Sequence, residues 1–180
     1  MSLSEKWINS LFEVATGSKF RRNLMTPVGF IFFVSFVSAL IFFAFFLDSA
    51  LNFSSFVSRP LNLMIGLPLI AIGIVLVCIC VIYFIKSKGT PVPLNPPKKV
   101  ITGGPYAYSR NPMLTGLFLQ LFGFGICTGS VSLTFIVTPV FVILNVIELK
   151  KIEEPELIKR FGQEYMEYRN NVPMFFPRFF

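Results

Sequence analysis

Three apolar runs, Val28 to Leu47, Leu61 to Ile85 and Met113 to Ile147, leave this chain few ways to fold. A bilayer's hydrocarbon core is about 30 Å thick and takes about 20 apolar helical residues to cross. The first run meets that length with only Ser35 and Ser38 as polar side chains, and the second is longer. With 54% hydrophobic residues, 23 phenylalanines in 180 positions and a mean hydropathy of +0.71, the chain carries more apolar surface than a soluble core of this size can hide. The sequence therefore predicts an all-α integral membrane protein.

The third run is too long for one crossing, and Thr128-Gly129-Ser130 divides it into pieces of 15 and 17 residues. At 1.5 Å per residue these reach about 22 and 26 Å, slightly short of the hydrocarbon thickness. They either thin the bilayer or form a re-entrant hairpin, and in both cases the two ends emerge on one side. The expectation is about four transmembrane helices, the last two a short hairpin.

Charge sets the orientation. Fifteen of the sixteen Lys and Arg residues fall in segments 1–27, 86–112 and 148–180, and Arg59 is the exception. Even numbers of crossings separate these segments, so their shared basicity follows the positive-inside bias and places them, with both termini, in the cytosol of a prokaryotic plasma membrane or an endoplasmic reticulum. The net charge of +7 is thereby explained without nucleic acid. The first apolar run is too long for a signal-peptide core and no A-x-A-like site follows it, so a retained helix is expected. Cys78, Cys80 and Cys127 have neither metal-ligand nor disulfide spacing and read as small packing residues. Histidine is absent, which removes the usual general base near neutral pH and the commonest metal ligand.

Residues 1–27 read as an interfacial amphipathic helix, with Leu3, Trp7, Leu11, Phe12 and Val14 toward one face and the basic cluster Lys19, Arg21, Arg22 after it. Thr26-Pro27 is a helix start signal for the first span. Residues 28–85 form a two-span anchor around an outer loop from Asp48 to Pro60, with Gly66 and Gly73 permitting close helix approach. Residues 86–180 hold the remaining polar character. Prolines 91, 93, 96, 97, 105 and 112 exclude a regular helix over most of the loop before the hairpin. After the hairpin, Pro155 is expected to restart a helix whose Leu157, Phe161, Tyr165 and Tyr168 share one face; the tail from Val172 to Phe180 reads as interfacial.

Two clusters bracket the hairpin. Arg110, between Tyr108 and Pro112, reads either as one more positive-inside charge or as a guanidinium clamping a carboxylate or phosphate at the membrane lip. Glu153 and Glu154 either offset Lys150 and Lys151 in solvent or hold a cationic ligand, with tyrosine faces adding cation-π attraction, a demand that a sulfonium satisfies. Gly104, Gly116 and the Gly123-x-Gly125 pair are weak signals, and no phosphate-loop spacing surrounds Gly103-Gly104.

In order, Gly104-Pro105-Tyr106, Arg110-Asn111-Pro112, Gly116, Glu153-Glu154, Leu157, Phe161-Gly162, Tyr165, Tyr168 and Val172-Pro173 resemble the isoprenylcysteine carboxyl methyltransferase and phospholipid methyltransferase superfamily, and Gly89-Thr90-Pro91-Val92-Pro93 with Asn95-Pro96-Pro97 is similar to its prokaryotic lead-in. The resemblance covers about residues 86–177. It implies that 86–180 is a methyltransferase catalytic region binding S-adenosylmethionine through Gly104, Pro105, Tyr106, Arg110, Asn111, Pro112, Gly116, Glu153 and Glu154, with Arg110, Asn111 and Glu154 nearest the chemistry. Many members have histidine where this chain has Asn111, and asparagine cannot take up a proton.

The implied reaction is methyl transfer to a lipophilic acceptor from the bilayer. A carboxylate of the prenylcysteine type is easier to rationalise than a phospholipid amine, which must first lose a proton. The rivals are an enzyme similar to the NADPH-dependent sterol reductases, against which the small number of spans argues, and a non-catalytic lipid-binding membrane protein.

Overall fold

The computed structural model describes residues 3–16, 19–87, 89–90 and 97–175. The lead-in prolines at 91–96, the tail from Phe176, and the side chains of Leu3, Leu11, Val14, Lys19, Arg21 and Arg22 lie outside the described residues. Among the described residues seven α-helices occur in order: α1 (Leu3–Thr16), α2 (Lys19–Ala50), α3 (Leu61–Lys86), α4 (Pro112–Thr128), α5 (Thr138–Glu148), α6 (Glu154–Phe161) and α7 (Gln163–Asn171). A 3₁₀ turn covers Gly104–Ala107, and π-helical turns cover Leu133–Val137 and Leu149–Glu153. Among the described residues there is no strand.

Among the described residues, three stretches are long and apolar enough to cross a membrane: Thr26–Ala50, Leu61–Lys86 and Leu133–Phe161. The fourth apolar helix, α4, is shorter, at 17 residues. Phe30, Phe32, Phe42 and Phe46 are exposed on α2 and Met64 and Leu67 on α3, the pattern of side chains that dissolve in lipid.

Helix boundaries depart from the sequence reading at Pro27 and Pro155, the two prolines that read as helix starts. Pro27 sits inside α2, which already begins at Lys19, and Asp48 belongs to that helix rather than to the loop after it. A proline interior to a helix forfeits one backbone bond, a loss that membrane helices tolerate because local adjustment or other groups can satisfy the freed carbonyl. Pro155 does not restart a helix either: helix runs continuously from Leu133 to Phe161, for 29 residues or about 43 Å, so the second limb of the hairpin is not short. The widened turn Leu149–Glu153 just before Pro155 shifts the hydrogen-bond register, with Glu154 N–H donating to the Leu149 carbonyl. The single C-terminal helix is instead two, divided at Gly162, whose φ of 59° ends α6.

The chain forms two units. The one made of Phe33–Cys78 and Met113–Leu144 is held by close helix packing. Ala44, Leu133 and Val137 are buried together, with Leu40, Ile41 and Leu47 packed on them. Helices α3 and α4 approach glycine to glycine: a Cβ on Gly66 would lie 2.6 Å from the Gly123 carbonyl oxygen, and one on Gly73 2.5 Å from that of Gly116. Cys127 lies against Gly66, consistent with a packing role, whereas Cys78 is exposed. The break at Gly129 (φ 71°) ends α4, and three of the first amides of the next helix are satisfied: Ser132 N–H donates to Asp48 Oδ1 (2.8 Å), Leu133 N–H to Ser130 Oγ (3.0 Å) and Thr134 N–H to the Ser130 carbonyl (3.2 Å). Ser130 Oγ in turn donates to Asp48 Oδ2.

The other unit comprises Met1–Phe32, Ile79–Pro112 and Asn145–Phe180. In it α1 lies against α6 and the π turn before it. Lys159 Nζ donates to Asn9 Oδ1 at 2.8 Å and sits 4.4 Å from the centroid of the Phe12 ring.

Candidate functional site

The polar stretches on either side of the hairpin meet within this second unit. The loop arm starts at Gly104, whose φ of 60° suits glycine and whose missing side chain leaves room for the Tyr83 ring. Pro105 fixes the first turn of the 3₁₀ segment, and Tyr106 is buried with its ring edge-on to Phe84, centroids 5.9 Å apart. The Tyr106 carbonyl accepts a 2.7 Å hydrogen bond from the Tyr168 hydroxyl, which ties the loop to α7. Tyr108 is exposed and Ser109 buried.

The helix arm is aimed by the π turn at Leu149–Glu153. One additional residue in the turn rotates the helix beyond it, and the outcome is a buried Leu149 and a Glu154 only 9% exposed. Arg110 Nη1 donates to Glu154 Oε1 at 2.6 Å, with both side chains 11% exposed. Arg169 Nη1 approaches Glu154 Oε2 at 3.8 Å from the more open side. The carboxylate thus faces two guanidinium groups, one buried and one near solvent, a charge-assisted arrangement stronger than a neutral bond. Arg110 Nε is buried and has no hydrogen-bond partner among the described residues.

The remaining sequence-predicted residues divide by position. Pro112 is buried at the start of α4. Asn111 Nδ2 donates to the Met174 carbonyl at 3.3 Å. Glu153 is half-buried beside Glu154. Gly116 lies in α4 with one face against the Gly73 carbonyl, a helix-packing position in the other unit. Sequence reasoning missed Ser109, Arg169 and the segment Val172–Phe175. Val172-Pro173 was visible as a motif, but nothing local announces a carbonyl that accepts bonds from a loop more than sixty residues earlier.

Three tyrosines line this region, and burial is the chief cause of raised hydroxyl pKa values in all of them. Burial and then the Glu154 carboxylate push Tyr165 up to about 12; Tyr106 and Tyr168 are also pushed up. All three remain protonated at neutral pH and serve as donors and ring faces. Among the described residues no group of three or more His, Cys, Asp or Glu side chains gathers as a metal ligand set.

Residues 61–164 match the phospholipid methyltransferase family, a stretch that holds both Arg110 and Glu154. The chain belongs to that family. Its motifs were legible as such in the sequence. Among curated proteins this phospholipid methyltransferase family member is 28% identical over 99 residues to the nickel-cobalt-cadmium resistance protein NccN of Alcaligenes xylosoxydans xylosoxydans, covering 55% of this chain and 42% of that protein. It is also 28% identical over 96 residues to a methanethiol S-methyltransferase of Crocosphaera subtropica, covering 53% of this chain and 34% of the relative. The chain thus spans less than half the length of either relative. No solved structure matches it. The strap at Val172–Phe175 lies beyond the family-matched stretch.

Proposed function

We propose that this protein is a membrane methyltransferase that draws on S-adenosylmethionine and methylates a lipophilic acceptor arriving from the bilayer. The observation that carries the reading is the 2.6 Å bond between Arg110 and Glu154, which joins the two ends of an apolar hairpin into one polar surface. The positive-inside pattern supports a cytosolic side for that surface and for both termini.

The residues present fit the cofactor. Arg110 Nε is a buried donor in need of an acceptor, which the amino-acid carboxylate of S-adenosylmethionine provides. Glu154 offers a carboxylate to its cationic and hydroxyl groups, and the faces of Tyr106, Tyr165 and Tyr168 suit a sulfonium. When bound, the cofactor supplies an electrophilic methyl group whose bond to sulfur breaks as the bond to the acceptor forms. The chain's share of the work is to hold and to exclude water: Arg110 and Glu154 fix one end, and buried Tyr106 and Tyr165 keep solvent away. Orientation of this kind supplies about 7–11 kcal/mol in favourable intramolecular cases.

Raised hydroxyl pKa values make the tyrosines poor bases at pH 7. This favours an acceptor already ionised at pH 7, a prenylcysteine-type carboxylate, over a thiol or a phospholipid amine, each of which must first give up a proton. The thiol option gains weight from the methanethiol S-methyltransferase among the relatives. The test is to incubate purified protein in lipid vesicles with methyl-labelled cofactor and, separately, a prenylcysteine, phosphatidylethanolamine and an alkyl thiol. Label is expected in an ionisable acceptor and lost in Arg110→Ala; no label in any acceptor together with no calorimetric binding of the cofactor rejects the reading.

A further inference from the structure

Four hydrogen bonds tie residues 109–111 to the segment that follows α7. Arg110 N–H donates to the Pro173 carbonyl at 2.9 Å and Asn111 N–H to the Met174 carbonyl at 3.1 Å. The same Met174 oxygen accepts from Ser109 Oγ at 3.1 Å and from Asn111 Nδ2 at 3.3 Å. Ser109 Oγ also accepts from Asn111 N–H at 3.3 Å, so this one hydroxyl is a donor to the strap and an acceptor within the loop. Ser109 and Asn111 reach toward the strap, while Arg110 between them reaches Glu154.

We infer that Ser109 is a positioning residue: its hydroxyl clasps the Met174 carbonyl and so holds the Arg110 guanidinium in the orientation that meets Glu154 and the ligand. The inference rests on the function proposed above. Ser109 is 6% exposed, so no water stands ready to replace its bond, and losing it loosens the loop at the residue before Arg110 and leaves the Met174 oxygen with fewer donors. The strap has its own anchor, since Val172 N–H closes α7 on the Tyr168 carbonyl at 2.9 Å and Tyr168 is bonded to Tyr106. Loop, α7 and strap thus form a closed circuit with Ser109 as one of its links, and Asn111 belongs to the clasp through its carboxamide donor rather than through proton transfer.

The experiment measures S-adenosylmethionine affinity, KM and kcat in vesicles for wild type, Ser109→Ala, Ser109→Thr and Arg110→Ala, with thermal unfolding of each. Ser109→Ala is expected to weaken cofactor affinity about three- to tenfold, the scale of one net hydrogen bond, with kcat at saturating cofactor nearly unchanged. Ser109→Thr, which keeps the hydroxyl, restores affinity. A purely structural serine lowers the unfolding temperature and leaves the affinity of folded protein alone, which overturns the inference. Wild type that binds no cofactor, or Arg110→Ala that binds it as tightly as wild type, overturns the proposed function instead. Hydrogen exchange on the wild type needs no variant: slow exchange at Arg110 and Asn111 amides is expected, and exchange at free-loop rates rejects the clasp even where Ser109→Ala fails to fold.

Discussion

Arg110 donates to Glu154 across 2.6 Å although 44 residues separate them in the chain. The intervening residues form a helical hairpin, so the bond is a direct record that both ends of the hairpin return to one place. It also concentrates charge where little water reaches, since each side chain is 11% exposed.

Removing both partners should therefore cost less than the two single removals added together. Glu154→Gln leaves the Arg110 guanidinium buried beside a neutral amide, and Arg110→Met leaves a carboxylate with only the looser Arg169; each is expected to cost about 3 kcal/mol. The double variant Arg110→Met/Glu154→Gln should lose clearly less than the sum of the two. Thermal unfolding in vesicles reads the cycle, and strict additivity would mean that the pair is not coupled.

The meeting of these two residues was legible in the sequence because it comes from counting: one apolar run, too long for a single crossing, broken at Thr128-Gly129-Ser130. Spans and motif residues were legible for the same kind of reason, local composition. The features that were not legible depend on register. Whether Pro27 or Pro155 interrupts a helix turns on where the displaced carbonyl finds a donor, and a π turn such as Leu149–Glu153 has no compositional mark. The clasp of Ser109 on Met174 was hidden because a backbone carbonyl is the same at every residue, so the partner is chosen by the fold alone.

Gly104 allows a second test, in which two causes can be separated. Its φ is 60°, and an added Cβ would run into the Tyr83 ring. Gly104→Ala is expected to destabilise by about 1–2 kcal/mol from backbone strain alone, with the steric clash in addition. Trimming the ring in Gly104→Ala/Tyr83→Ala should relieve only the second part. Full recovery in the double variant, by unfolding temperature relative to Tyr83→Ala, would show that the backbone conformation is not the constraint.

The glycine pairs of α3 and α4 make a prediction about the membrane interior. A Cβ on Gly123 would sit 2.7 Å from the Gly66 carbonyl, and backbone cannot move aside as a flexible side chain can. Gly66→Ala and Gly123→Ala should each lower stability by about 1–3 kcal/mol, the usual cost of overpacking. Resistance to denaturing detergent, titrated in mixed micelles, is the measurement. Unchanged midpoints for both would mean that the two helices stand further apart than a glycine-to-glycine contact.

Asp48 carries the last prediction. It lies in the final turn of α2, yet its carboxylate serves another helix, accepting from Ser132 N–H at 2.8 Å and from the Ser130 hydroxyl. The orphan amides at a helix start are costly in apolar surroundings, and a negative charge there also complements the helix dipole. Asp48→Ala is expected to cost about 0.5–2 kcal/mol, the range for a lost N-cap. Asp48→Asn keeps one carbonyl acceptor but loses the charge, so it should fall between alanine and wild type. Because Asp48 touches neither Arg110 nor Glu154, cofactor affinity of the folded protein should match wild type in both variants, while the detergent midpoint falls in the order wild type, Asn, Ala. An affinity loss in Asp48→Asn without a stability loss would assign this carboxylate a role in ligand binding that capping does not explain.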